Sequence, residues 1–250
     1  RRDKHSHSFV GGFPSTPMPT VEPADWSHIT KLDPDKELTE EVADGIASSG
    51  TDAVVVGGTQ GVTRDKARSF LSILDGTGVT VVVEPSNPAN VVRDGHHLLV
   101  PTVLNAGNIG WVVGAHKEWV RVEKDIDWSV VHPEGYIVMN PDSAVGRVTE
   151  AETDIPPEEA AAYATVAERY FGLPIVYVEY SGTYGDPAVV EAVSDTVEEA
   201  TLFYGGGIDG YDKAKEMAKH ADCVVVGDVA HEEGLDALRE TVRGVNDAER

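Results

Sequence analysis

A single α/β domain, a closed (β/α)8 barrel, is the fold that this sequence predicts, and three observations predict it. Eight short apolar runs follow one another from Trp26 onward. Helix-like segments separate most of them, which implies βαβ units and a parallel sheet. The chain has 250 residues, the usual size of one eight-stranded barrel. Two small domains are the alternative at this length.

The apolar runs, in order, are residues 27–29, 53–56, 80–83, 97–100, 136–139, 175–179, 201–204 and 223–226. The helix-like segments are 39–49, 64–75, 108–120, 157–170, 187–196, 211–220 and 232–245. One helix is missing from the alternation. Between Val83 and His97 the chain reads Glu84-Pro85-Ser86-Asn87-Pro88-Ala89-Asn90, and two prolines among polar residues read as a loop. Residues 121–134 are rich in charge and are expected to form an irregular excursion before strand five.

The run Ile175-Val176-Tyr177-Val178-Glu179-Tyr180-Ser181-Gly182 is the most informative. Strand side chains alternate, so Tyr177 and Glu179 share one face and Val178 and Tyr180 the other. A carboxylate at the end of an apolar strand must be paired or must do chemistry.

Composition bounds the partners. Lysine and arginine number 20 against 43 acidic residues, a formal net charge of −23, which argues against a nucleic-acid partner. Such self-repulsion is relieved by salt, so the chain reads as halophilic. No run of eighteen apolar residues is present, so no transmembrane span is expected. The first twenty residues are polar and lack the apolar core of a secretory signal, so a cytoplasmic location is expected. Residues 1–20 are read as a non-native or disordered extension, with Met18 a candidate start, and residues 21–250 as the barrel domain. Cys223 is the only cysteine, so no intrachain disulfide can form.

Barrel ligands sit at the C-terminal ends of the strands. Polar or glycine-rich residues collect there: Lys31-Leu32-Asp33-Pro34, Gly57-Gly58-Thr59, Tyr204-Gly205-Gly206-Gly207-Ile208 and Gly227-Asp228. Glycines after strands seven and eight let backbone N–H groups approach a phosphate. Gly205, Gly207 and Gly210 also match the dinucleotide fingerprint, with Asp228 ending the next strand. That fingerprint normally opens a nucleotide domain, and little chain follows it here. Asp33 and Thr59, on adjacent strand ends, could hold Mg²⁺, and Lys31 adds a point charge suited to phosphate. Taken alone, Asp33-Pro34 is better explained as an N-cap and turn before the first helix.

Together these five motifs, from about Trp26 to the C-terminus, resemble the geranylgeranylglyceryl phosphate synthase family, which includes the bacterial heptaprenylglyceryl phosphate synthases. The resemblance implies a modified TIM barrel with the third helix replaced by a loop, in agreement with the proline-containing segment. It implies an Mg²⁺-dependent prenyltransferase that joins geranylgeranyl diphosphate to the 3-hydroxyl of sn-glycerol 1-phosphate. It places Mg²⁺ on Asp33 and Thr59. Glycerol 1-phosphate contacts fall to Lys31, Tyr177, Val178, Glu179, Tyr180, Ser181, Gly182, Gly207, Gly227 and Asp228, with Glu179 as the base. Strand eight departs from the family pattern, which has Gly-Asn where this chain has Gly227-Asp228; a carboxylate beside a phosphate is unfavourable unless the side chain turns away. Trp111 is expected either to limit prenyl length or to pack as a core aromatic. A homodimer, and a peripheral membrane encounter through the hydrophobic product, are further expectations. The competing functions are a sugar-phosphate isomerase or aldolase on the same fold, and a non-catalytic phosphate-binding barrel.

Overall fold

The computed structural model describes residues 22–249. The predicted extension at residues 1–20 therefore lies outside the described residues. Eight parallel strands close into a barrel in sequence order: β1 (His28–Leu32), β2 (Ala53–Gly57), β3 (Thr80–Glu84), β4 (His97–Val103), β5 (Val131–Val138), β6 (Ile175–Glu179), β7 (Thr201–Gly205) and β8 (Cys223–Gly227). β8 pairs with β1 through Lys31 and Gly227, which completes the cylinder.

The helices that follow are α1 (Glu40–Ala47), α2 (Arg64–Leu74), α3 (Gly114–Val122), α4 (Ala144–Thr149), α5 (Pro157–Thr165), α6 (Pro187–Ser194), α7 (Tyr211–Met217), α8 (Val229–Glu232) and α9 (Leu235–Asn246). Their starts have local causes. The hydroxyls of Thr39 and Thr63 accept from the N–H groups of Val42 and Lys66, and the Asp186 carboxylate accepts from Ala188, each at the first turn of its helix. α5 runs on into a π-helical segment, Val166–Phe171. Between β3 and β4 only a 3₁₀ turn, Pro88–Asn90, is formed, so the missing third helix is confirmed.

Period-two alternation splits the strand side chains between two cores. One set, including Ile29, Val55, Val82, Leu99, Tyr136, Tyr177, Phe203 and Val225, fills the barrel. The other, including Val54, Val83, Val176, Val178 and Tyr204, packs against the helices.

Several boundaries differ from the sequence reading. β1 extends to Leu32, so Lys31 belongs to the strand. β5 begins at Val131, not at 136, because its inward positions His132 and Glu134 are polar and break the apolar run. The segment 108–120 divides into a 3₁₀ turn, Ile109–Trp111, and α3, with glycines at 110 and 114 interrupting regular helix. The last predicted helix divides into α8 and α9 at Gly234, whose φ of +89° ends the first piece.

Candidate active site

The inward face of the barrel near its C-terminal end carries a cluster of ionisable groups. Lys31, Glu84, Glu134 and Glu179 each lie two residues from an interior residue of the same strand: Ile29, Val82, Tyr136 and Tyr177. Lys31 Nζ donates to both carboxylate oxygens of Glu84, at 2.8 and 3.0 Å. It stands 3.4 Å from Tyr136 Oη and 5.9 Å from the centre of the Tyr177 ring. Burial opposes its charge, but Glu84, Glu179 and Glu134 together outweigh burial and hold its pKa above the usual lysine value.

Glu179 is 2% exposed. Its Oε1 accepts from the backbone N–H of Ser181 at 2.9 Å, while Oε2 has no hydrogen-bond partner among the described residues. Burial raises its pKa, and the Ser181 hydrogen bond and Lys31 offset only part of that rise. A carboxylate with one oxygen held and the other unengaged is oriented to accept a proton.

Two clefts meet over this cluster. The first is lined by Tyr177, Ser181, Gly182, Gly205, Gly206, Gly207, Gly227 and Asp228. The glycines of the 205–207 turn are sterically required. A Cβ on Gly207, whose φ is +57°, would fall 2.3 Å from the Tyr184 nitrogen, and one on Gly206 would fall 2.3 Å from Tyr180 Cβ. Asp228 adopts the left-handed region at φ 61°, and its carboxylate pairs with Lys36 Nζ at 2.8 Å. The Asp228 carboxylate is thus turned towards Lys36.

The second cleft is mainly apolar, with Val91, Val100, Val103, Trp111, Ala115, Trp119 and Val148 in its walls. Gly58, Thr59, Glu84, Tyr136 and Glu179 line it as well. Lys31 and Ser181 line both clefts and mark their junction. Trp111, expected either to limit prenyl length or to pack as a core aromatic, stands half-buried in the apolar wall.

Not every expected contact is brought to the clefts. Val178 and Tyr180 point into the barrel–helix layer and line neither cleft, as the alternation along β6 dictates. The Tyr180 N–H is also engaged, donating to Gly205 O at 2.7 Å. Their expected contact with glycerol phosphate is therefore not one their side chains can make. Asp33 lies just beyond β1, lines neither cleft, and presses its carboxylate on Gly58, where a Cβ would come within 2.6 Å of Oδ1. Sequence reasoning missed Glu84, Glu134 and Tyr136. The alternation signal was available for each, but Glu84 reads as loop before Pro85 and Glu134 as part of a charged excursion.

Fold and site together define an enzyme-like (β/α)8 barrel in which a glycine-lined cleft and a mainly apolar cleft lie side by side, with a carboxylate between them. Residues 22–245 match the PcrB family. Over 229 residues the chain is 55% identical to geranylgeranylglyceryl phosphate synthase of Halobacterium salinarum, covering 90% of this chain and 97% of that protein. Over 222 residues it is 52% identical to the enzyme of the same name from Methanoculleus marisnigri, covering 88% and 96%. A crystal structure of (S)-3-O-geranylgeranylglyceryl phosphate synthase from Thermoplasma acidophilum, in complex with sn-glycerol-1-phosphate, superposes with a TM-score of 0.78 at 26% identity, over 89% of this chain and 94% of that one. The chain belongs to the PcrB family and is an enzyme, a prenyltransferase.

Proposed function

We propose that the chain transfers a geranylgeranyl group from its diphosphate to the 3-hydroxyl of sn-glycerol 1-phosphate, forming an ether of the archaeal membrane lipid type and releasing diphosphate. The observation that carries this reading is the unengaged Oε2 of Glu179 beside the junction of a glycine-lined cleft and an apolar one. The glycine-lined cleft suits the phosphate through backbone N–H groups of the 205–207 and 227–228 turns. The apolar cleft suits the prenyl tail, with Trp111 set where a longer chain would meet it. The Thermoplasma relative's complex with sn-glycerol-1-phosphate supports the first assignment.

The residues present also fit Mg²⁺. Asp33 and Thr59 offer hard oxygen donors on neighbouring strand ends, and the glycine at 58 leaves room for the Asp33 carboxylate. When bound there, Mg²⁺ supplies positive charge to neutralise the departing diphosphate. Lys31, at the junction, adds a second positive charge for either phosphoryl group. Glu179 takes the proton of the attacking hydroxyl at Oε2, and its raised pKa makes it a better acceptor than an exposed glutamate. The apolar walls exclude water, which would otherwise compete as the nucleophile.

Among the described residues no helix is long and apolar enough to cross a membrane. We further propose a cytoplasmic homodimer that meets the membrane only peripherally, when it releases its product. The decisive assay mixes the chain with glycerol 1-phosphate, geranylgeranyl diphosphate and Mg²⁺ in molar KCl and looks for the prenyl ether. Glu179→Gln preserves shape and removes the acceptor, so turnover should fall on the order of 10²–10⁴-fold. Near-normal turnover in that variant removes Glu179 from the mechanism, and absence of ether from the unmodified chain refutes the function.

A further inference from the structure

The opposite end of the barrel carries a second cluster that the transfer reaction does not use. β4 begins with His97 and β5 has His132 at its second position. His132 pairs across from Leu99, which faces the barrel interior. His97, two residues before Leu99, is therefore the diagonal inner neighbour of His132. The two rings meet, with Nδ1 of His97 2.9 Å from Nε2 of His132. Trp26, 1% exposed, stands edge-on to His97 at 5.6 Å and packs against this floor. A third group arrives from the start of the described chain. Glu22 brings a carboxylate oxygen to the pair, so that one ligand atom from each of Glu22, His97 and His132 lies within 4.8 Å of the others.

We propose that Glu22, His97 and His132 form a site for a divalent transition-metal ion, with Zn²⁺ as the preferred occupant. Two imidazoles and a carboxylate are the donors of Zn²⁺ sites, whereas Mg²⁺ favours oxygen ligands. Ligand atoms about 2.1 Å from a tetrahedral ion sit about 3.4 Å apart. The rings stand 2.9 Å apart and all three ligand atoms lie within 4.8 Å of one another, a range that includes that value. Ring nitrogens this close share one hydrogen, so at least one is already the bare donor that a metal requires. Three protein ligands leave a fourth position for water.

The site's place in the fold gives it a task. Glu22 immediately precedes the 3₁₀ turn Pro23–Asp25 and Trp26, so a bound ion ties the entering chain to the floors of β4 and β5. Both substrate clefts open at the far ends of the strands, so the ion stabilises the fold and takes no part in transfer.

The full chain, stripped with EDTA, is titrated with ZnCl₂ and followed by calorimetry and thermal melting. One ion per chain is expected, with a Tm rise of about 5–10 °C at a hundredfold excess over Kd. Co²⁺ should bind with visible absorption bands of a tetrahedral ion. His132→Gln should abolish those bands and weaken Zn²⁺ binding by more than about tenfold, while turnover at low temperature is retained. Should His132→Gln fail to fold, Glu22→Gln, at an exposed position, tests the same ligand set. A Tm indifferent to millimolar Zn²⁺ overturns the proposal. So does a Zn²⁺-induced rise that survives in both variants, because the chain has nine histidines and the ion would then sit on others.

Discussion

Replacing Glu134 with methionine should change how stability depends on pH, and the size of the change follows from burial. Glu134 is 0% exposed, and neither of its carboxylate oxygens has a hydrogen-bond partner among the described residues. Burial first, and the charge of Glu84 second, raise its pKa well above the carboxylate range; Lys31 offsets this only in part. The folded protein therefore holds a proton that the unfolded chain releases once the pH passes about 4.3. A group with a raised folded pKa contributes stability that is complete below the unfolded pKa and is lost as pH rises towards the folded one. One proton of difference costs about 1.4 kcal/mol per pH unit across that window. Methionine matches glutamate in length and needs no partner, so Glu134→Met removes this slope. The stability gap in favour of the variant should widen by about 1.4 kcal/mol per pH unit above about pH 4.5, then level off at the folded pKa. For a domain of this size that is about 3–6 °C in Tm per unit. Melting both proteins in molar KCl from acid to mildly alkaline pH gives the difference directly, and titrating groups remote from Glu134 cancel in it. Parallel curves would mean that Glu134 ionises in the fold, and the burial reasoning would fail.

Other outcomes follow from the same geometry. Asp33→Asn should weaken Mg²⁺ and diphosphate binding and leave glycerol 1-phosphate affinity nearly intact, because Asp33 abuts Gly58 on the apolar cleft and not the glycine turns; calorimetric titration of each ligand decides, and loss of glycerol phosphate affinity with Mg²⁺ dependence unchanged would reverse the assignment. At a net charge of −23, Tm should climb steeply from 0.1 M to molar KCl, as the Debye length shrinks from about 10 Å to about 3 Å. A Tm that does not move over that range would defeat the reading of the acidity as an adaptation to salt.

The barrel was legible because its strands are short valine-rich runs and its helices have separate starts. What the sequence left obscure was polar. Val131-His132-Pro133-Glu134 does not look like a strand, since a proline and two ionisable residues hide the apolar signal. In the barrel these residues pair with β4 throughout, and the two polar side chains point inward to the His97 and Lys31 clusters. Tertiary context overrode local pattern there. Glu179 was legible because it ends an otherwise apolar run. Glu84 does the same at the end of Val81-Val82-Val83, yet the proline after it drew the reading towards a loop. Asp228 could be placed but not oriented from sequence; its partner, Lys36, lies on a connection from the other end of the chain.

The unfilled place between β3 and β4 has a consequence for how such an enzyme can diverge. A full ring of helices confines a barrel's ligands to the mouth, so their size is read by depth. Here the helix layer, not the paired strands, has a slot behind Pro85 and Pro88, and on the proposed function an apolar tail runs along it towards Trp111 and Trp119. On the proposed function, length is gauged there by residues that hold no proton and bind no phosphate. Substitutions along the slot can retune which tail is accepted while the Lys31–Glu84–Glu179 cluster stays as it is, so preference and chemistry are free to change on separate schedules.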